Sequence, residues 1–380
     1  MATPRADSYS ATSGATVAGG MAAPSGLPSW LAAGAVNEWL QVPNGQPSSA
    51  AGLVPAVAGS MGTQSGMVNK WDGAFVDGSR FFIHGGGHSD YGGNEIGAID
   101  LSQESPAWDL LIERTPVADL LGGSNYYADG RPTSRHTYYA MAVATVSGVK
   151  RFLRFNGWMG FAFNGTPVGG AADVRTVDVD GFRLDTNAWE PAAFGPVDAI
   201  TGSETGFAQD PNTGDCYCWP TNSSIQKYTV ATDSCATVAV LGGSEGQGGA
   251  CVVDAVAGKL YRFAGRSSGR CASWSLSGGS KVTETLTGPA ASTLNALSGE
   301  NHGWGVAHDT LRNVVYLMTN AAVLYRVRLS DLYAEQVSST GATPGSPTNG
   351  CWGRLKYLPE LDAIVYLASW TSQLLVMRCG

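Results

Sequence analysis

The chain has 380 residues, a formal net charge of -8 and a charged fraction of only 14%. No Lys/Arg stripe exists to neutralise phosphates, so nucleic acid is excluded as a partner. No apolar run is long enough to cross a bilayer as a helix, so no membrane insertion is expected.

In chain order, residues 1–34 are mostly Ala, Ser, Gly and Thr. They lack the continuous apolar stretch of an export signal and read as an extended arm. Within the arm, "SGLPSWLAAG" holds Leu27, Pro28, Trp30 and Leu31, an apolar cluster suited to ordering against a partner. Trp39-Leu40-Gln41-Val42 follows as an isolated strand-like run.

From Trp71 a phrase begins to recur: a small-residue strand, an acidic turn, then a second apolar strand. The copies are "WDGAFVDGSRFFIHGGG", "RHTYYAMAVATVSGVKRFLRFNG", "TGFAQDPNTGDCYCWP", "GGACVVDAVAGKLYRFAG", "GWGVAHDTLRNVVYLMT" and "GCWGRLKYLPELDAIVYLAS". Their Asp, Asn and Gly turn residues suit hairpins. Each unit holds three or four antiparallel strands, at a period of roughly 45–65 residues, near the range of propeller repeats. A lone four-stranded sheet buries neither face completely, whereas sheets stacked radially bury both. The expected fold is therefore all-β: a β-propeller over 35–380 with six blades. Seven is the alternative, because the first two repeats are long enough to hide one. The last repeat is short of strands, and the run at 39–42 is expected to complete it.

Two stretches concentrate polar and aromatic side chains. "HGGGHSDYGGN" carries His84, His88, Asp90, Tyr91 and Asn94; "SNYYADGRPTSRHTYY" carries Tyr126, Tyr127, Arg131, Arg135, His136 and Tyr138. Three glycines between His84 and His88 rule out a zinc-binding helix, and adjacent His88, Ser89 and Asp90 point to alternating sides, so they form no triad. His84 is expected to point into the fold. The bland reading is that these groups brace neighbouring blades. The functional reading is a face between blades one and two, where His88, Asp90, Tyr91, Asn94, Tyr126, Tyr127, Arg131, Arg135, His136 and Tyr138 meet a sugar through ring stacking and hydroxyl hydrogen bonds.

Other candidates are weaker. Seven cysteines, an odd number, read as reduced thiols; Cys216 and Cys218 fall on one strand face and read as packing. Asp173, Asp178, Asp180 and Asp185 do not fit a calcium loop, and "GGSEGQGG" lacks the lysine of a phosphate loop. No metal or cofactor is expected.

The opening "PRADSYSATSGATVAGG", with "HGGGHSDYGGNEIGAIDL" and "RPTSRHTYY", resembles Kelch-type propeller proteins encoded among bacteriophage and prophage virion genes. The resemblance is clearest over the first 140 residues. It implies a virion protein, a tail or decoration module assembled in the host cytoplasm. Its arm would hold other virion proteins, and its face would meet a host surface polysaccharide. The enzyme alternative is a polysaccharide lyase similar to ulvan lyases, with His88, His136 and Tyr138 as acid–base groups beside Arg135. The copper site of galactose-oxidase-like enzymes needs two Tyr, two His and a Tyr–Cys crosslink, which no spacing here supports.

Overall fold

Six blades close into a ring in the computed structural model. It describes residues 26–51, 53, 62–86, 91–119, 126–155, 158–159, 162–163, 166–167, 174–175, 179–191, 206–219, 224–241, 248–263, 271–296 and 303–380. Each blade is an antiparallel sheet whose first strand lies innermost. These inner strands are Ala74–Asp77, Met141–Val146, Gly206–Gln209, Ala250–Asp254, Gly305–Asp309 and Leu355–Leu358. The long second repeat adds no seventh blade. Its extra residues contain short pairings, 158–159 with 174–175 and 162–163 with 166–167.

Local chemistry sets the hairpins. The turn after every inner strand carries a left-handed residue: Gly78, Ser147 with Gly148, Gly214, Gly258, Asn313 and Asp362. Three inner or near-inner aspartates then cap their own turns. Asp210 accepts from Asn212 N, Asp254 from Val256 N and Ala257 N, and Asp309 from Leu311 N and Arg312 N. The second repeat lacks an acidic residue here and uses Ser147-Gly148 instead.

Alternation then sends successive side chains into different blade interfaces. Phe81 and Ile83 pack toward blade six, while Phe82 packs with Phe75 and Phe152 between blades one and two. Val315 and Leu317 join one layer; Tyr316 and Met318 join the layer shared with blade six. Both faces of an inner sheet are thus apolar, as in Cys216–Trp219, where all four residues are buried. Outermost strands such as Ser234–Val240 are largely exposed.

Blade six takes its outer strand from the other end of the chain. Glu38–Gln41 pairs antiparallel with Leu375–Arg378, and Thr340–Gly341 adds in parallel beyond it. Trp39 is buried between blades five and six. The segment before it does not stand off the body. Ser29–Ala32 forms a single helical turn with Leu31 in the layer between blades six and one. Trp30 Nε1 donates to Gln103 O at 3.0 Å, and Ser29 Oγ donates to the Glu104 carboxylate at 2.6 Å. The apolar cluster expected to await a partner has found its surface in blade one, which corrects the extent of the arm. Residues 1–25 lie outside the described residues.

Candidate functional site

The glycines after Phe81–Ile83 mark a crossing of two chain segments. A Cβ on Gly85 would sit 2.1 Å from Asp72 Cγ, and one on Gly86 would sit 2.2 Å from Ser134 Oγ. Gly86 also has φ +140°, open to glycine and strained for anything larger. Ser134 Oγ donates to Gly85 O at 3.2 Å, and Thr137 N donates to Asp72 Oδ1 at 3.0 Å. The two polar-rich stretches of the sequence are therefore stitched together. His88 and Asp90 lie outside the described residues.

Beneath this crossing is a buried polar network. His84 is fully buried; its Nδ1–H donates to Glu95 O at 2.9 Å, and Arg154 Nη1 donates to Nε2 at 3.0 Å. That pairing fixes the neutral tautomer. Burial, then the Arg154 charge, pulls its pKa down to about 3. Arg154 Nη2 and Arg135 Nη1 both reach Asp180 Oδ2, at 2.8 and 3.1 Å. Asp180, one of the aspartates weighed for calcium, thus serves two arginines. Burial likewise raises the pKa of Glu95, which accepts from the Tyr91 hydroxyl.

The expected binding residues divide by position. Tyr91, Asn94, Tyr127 and Arg135 face the interior. Asn94 Nδ2 donates to Thr115 Oγ1 and Pro132 O, at 3.0 and 2.9 Å, and the Tyr127 hydroxyl donates to Gly92 O at 2.8 Å. Arg135, whose guanidinium the lyase reading needs, lies against Asp180 with no exposed surface. These four brace the blades. Tyr126 and Arg131 reach the surface, with Arg131 Nη1 donating to Glu113 O at 2.7 Å.

His136 and Tyr138 are buried as well, in a different cluster at the head of the ring. His136 lies 5.0 Å from the Trp71 ring, and its Nδ1 is 3.3 Å from the Tyr138 hydroxyl. Trp352 meets Tyr138 edge-on at 4.8 Å and Tyr139 at 5.3 Å. Trp71, Tyr138 and Trp352 all hold left-handed backbone, with φ of 56°, 49° and 47°. Each stands just before the inner strand of its blade. Strain of this kind costs about 1–3 kcal/mol per residue and gathers where surrounding structure over-determines it. Tyr139 reaches across the axis: its hydroxyl donates to Trp304 O at 2.7 Å, joining blades two and five. Trp71 and Trp352 escaped the sequence reading. Their signal was an aromatic at one repeat position, beside glycine in "WDG" and "WG". Gly73 is needed there because a Cβ would lie 2.1 Å from Tyr138 O.

Elsewhere, Cys216 and Cys218 pack toward Phe207 and Tyr228 in a shared core layer. His308 Nε2 lies 3.0 Å from Asn313 Oδ1 and steadies a turn. Among the described residues, Asp309, Asp362 and Cys379 place ligand-type atoms within 4.8 Å of one another. Arg312 already fills that cluster, donating to Asp309 at 2.8 Å and to both oxygens of Asp362 at 2.7 Å. It clamps blade five to blade six.

No protein-family model matches the chain, and no curated protein matches it. Among solved structures it is similar to a fungal alcohol oxidase of the AA5 family in complex with copper, at 14% identity and TM-score 0.41. That match covers 78% of this chain and 55% of the oxidase, so the chain spans about half the oxidase's length. It is also similar to a structural-genomics protein of unknown function from Bacteroides thetaiotaomicron, at 13% identity and TM-score 0.39, covering 75% of this chain and 81% of that one.

Proposed function

We propose that this six-bladed propeller is a binding module of a bacteriophage particle, offering the head of blades one, two and six to a host surface glycan. The observation that carries this reading is the half-buried Trp71, held on left-handed backbone over the buried His136, Tyr138 and Trp352 at the head of the ring. The face of an aromatic ring such as Trp71 stacks on the apolar face of a sugar ring. The virion part rests on the resemblance of the first 140 residues to Kelch-type phage propellers. Residues 1–25 are then the particle anchor, since Leu31 and Trp30 are committed to blade one.

Two measurements test this. Full-length protein and a variant lacking residues 1–25 are expressed during infection and assayed in purified virions. Only the full-length chain is expected there, and equal incorporation would overturn the anchor. A glycan array is then probed with the wild type and Trp71→Ala. Loss of about tenfold in affinity, near 1.4 kcal/mol, is expected; an array with no hits, or unchanged hits for the variant, would remove the glycan reading. The lyase reading has one supporting contact, His136 beside the Tyr138 hydroxyl. Unsaturated products from uronic-acid polysaccharide, lost in His136→Ala, would make it the better one.

A further inference from the structure

Inside the ring, reached at one end by Tyr139 of the aromatic head, lies a channel of about 180 Å³. All six inner strands wall it, with Phe75, Met141, Phe207, Val252, Val306 and Lys356 giving one side chain per blade. Five are apolar and one is a cation. The contrast with the other lysines is sharp. Lys150 pairs with Asp77, Lys227 with Asp215 and Lys259 with Glu284, while Lys70 lies over the Trp71 ring. Lys356 has no hydrogen-bond or ion-pair partner among the described residues, and no carboxylate acts on it.

Groups that face the channel supply no negative charge. Burial pushes the Cys251 thiol, and that of Cys351 outside the lining, up to about 12 and raises the Tyr357 phenol, so all three stay neutral. Burial also lowers the pKa of His308, whose Nε2 is spent on Asn313. Gln209 Nε2 donates to Val143 O and Gly214 O. The Tyr139 hydroxyl donates to Trp304 O at the head. Among the described residues that line the channel, Lys356 is left with donors to spare.

We infer that the channel binds a small organic monocarboxylate, its carboxylate on Lys356 Nζ and its apolar part against the walls. One cation matches one negative charge; a phosphate dianion would carry a second charge with no second cation in the lining to balance it. Size sets the other bound. A cavity near 150 Å³ holds benzene, so this one takes roughly six to nine heavy atoms. Lys356 itself touches none of the aromatic cluster, and the test stands apart from the glycan reading.

The experiment is isothermal calorimetry of the full chain at pH 7 with acetate, butyrate, benzoate and inorganic phosphate. In parallel, ¹³C-methylated lysine resonances are followed, with Lys356 assigned by its loss in Lys356→Met. Saturable binding of butyrate or benzoate near one per chain is expected, at least tenfold tighter than phosphate. It should move the Lys356 resonance, weaken as pH rises past 8, since burial pulls the Lys356 ammonium down to about 8, and fall at least tenfold in Lys356→Met. The wild-type resonance keeps the test valid even if that variant folds poorly. No saturable carboxylate binding, an unmoved Lys356 resonance, equal affinity in a folded Lys356→Met, or phosphate binding as tightly as benzoate would each overturn the proposal.

Discussion

His84 is held neutral because its two nitrogens are committed in opposite senses, one donating to a carbonyl and one accepting from a guanidinium. Its folded pKa, about 3, lies below the unfolded value of 6.5. Between those values the unfolded chain binds a proton that the folded chain refuses, so stability falls as pH falls, by about 1.4 kcal/mol per unit. His84→Gln keeps most of the volume and cannot titrate. The variant is expected to be less stable at pH 7 than wild type but to show a flatter loss between pH 6 and 4, read from urea midpoints. Parallel pH profiles for the two would refute the assignment. Two glycines give a second test at this scale. Gly130 has φ +80° with nothing within 4 Å of a built Cβ, whereas Gly86 would press its Cβ on Ser134 and Tyr91 O. Gly130→Ala is expected to cost about 1 kcal/mol, from backbone strain alone. Gly86→Ala should cost about 3 kcal/mol or more, since packed backbone must move. Equal costs would show that the crossing is loose.

At the scale of elements, the strand Glu38–Gln41 carries more than its length suggests. It covers the edge that Leu375–Arg378 would otherwise present, buries Trp39 and ties the two ends of the described chain into one blade. A ring whose closing blade lacks its outer partner loses cooperativity at that seam. Deleting residues 1–25 is expected to leave the melting temperature unchanged, and deleting 1–45 to lower it by roughly 10 °C or more. Calorimetry decides, and equal melting of both truncations would mean that the seam is held by the other strands of blade six. The repeating turns belong to this scale too. A left-handed residue after each inner strand is local chemistry, so the hairpins, and through them the count of six, were legible in "VDG", "VSG", "TGD", "AGK", "LRN" and "ELD".

For the whole molecule, radial packing makes both faces of a blade interior, and an unpaired cation in the channel is then a burden on the folded state. Lys356→Met removes it at similar volume and is expected to raise the melting temperature by a few degrees, about 2–4 °C for each kcal/mol gained. A lower melting temperature in the variant would show that the ammonium has support within the ring. Sequence alone determined what is set by neighbours along the chain: the strands, their turns, the all-β class and the number of repeats. Tertiary structure decided which residues meet across blades. It turned Tyr91, Asn94 and Arg135 inward, brought Trp71, His136 and Trp352 together, docked Leu31 on its own chain and left Lys356 alone at the axis. The reason is geometric. Alternation says that two residues face opposite sides of a sheet, but in a propeller both sides are buried, and only ring closure fixes what lies opposite each one.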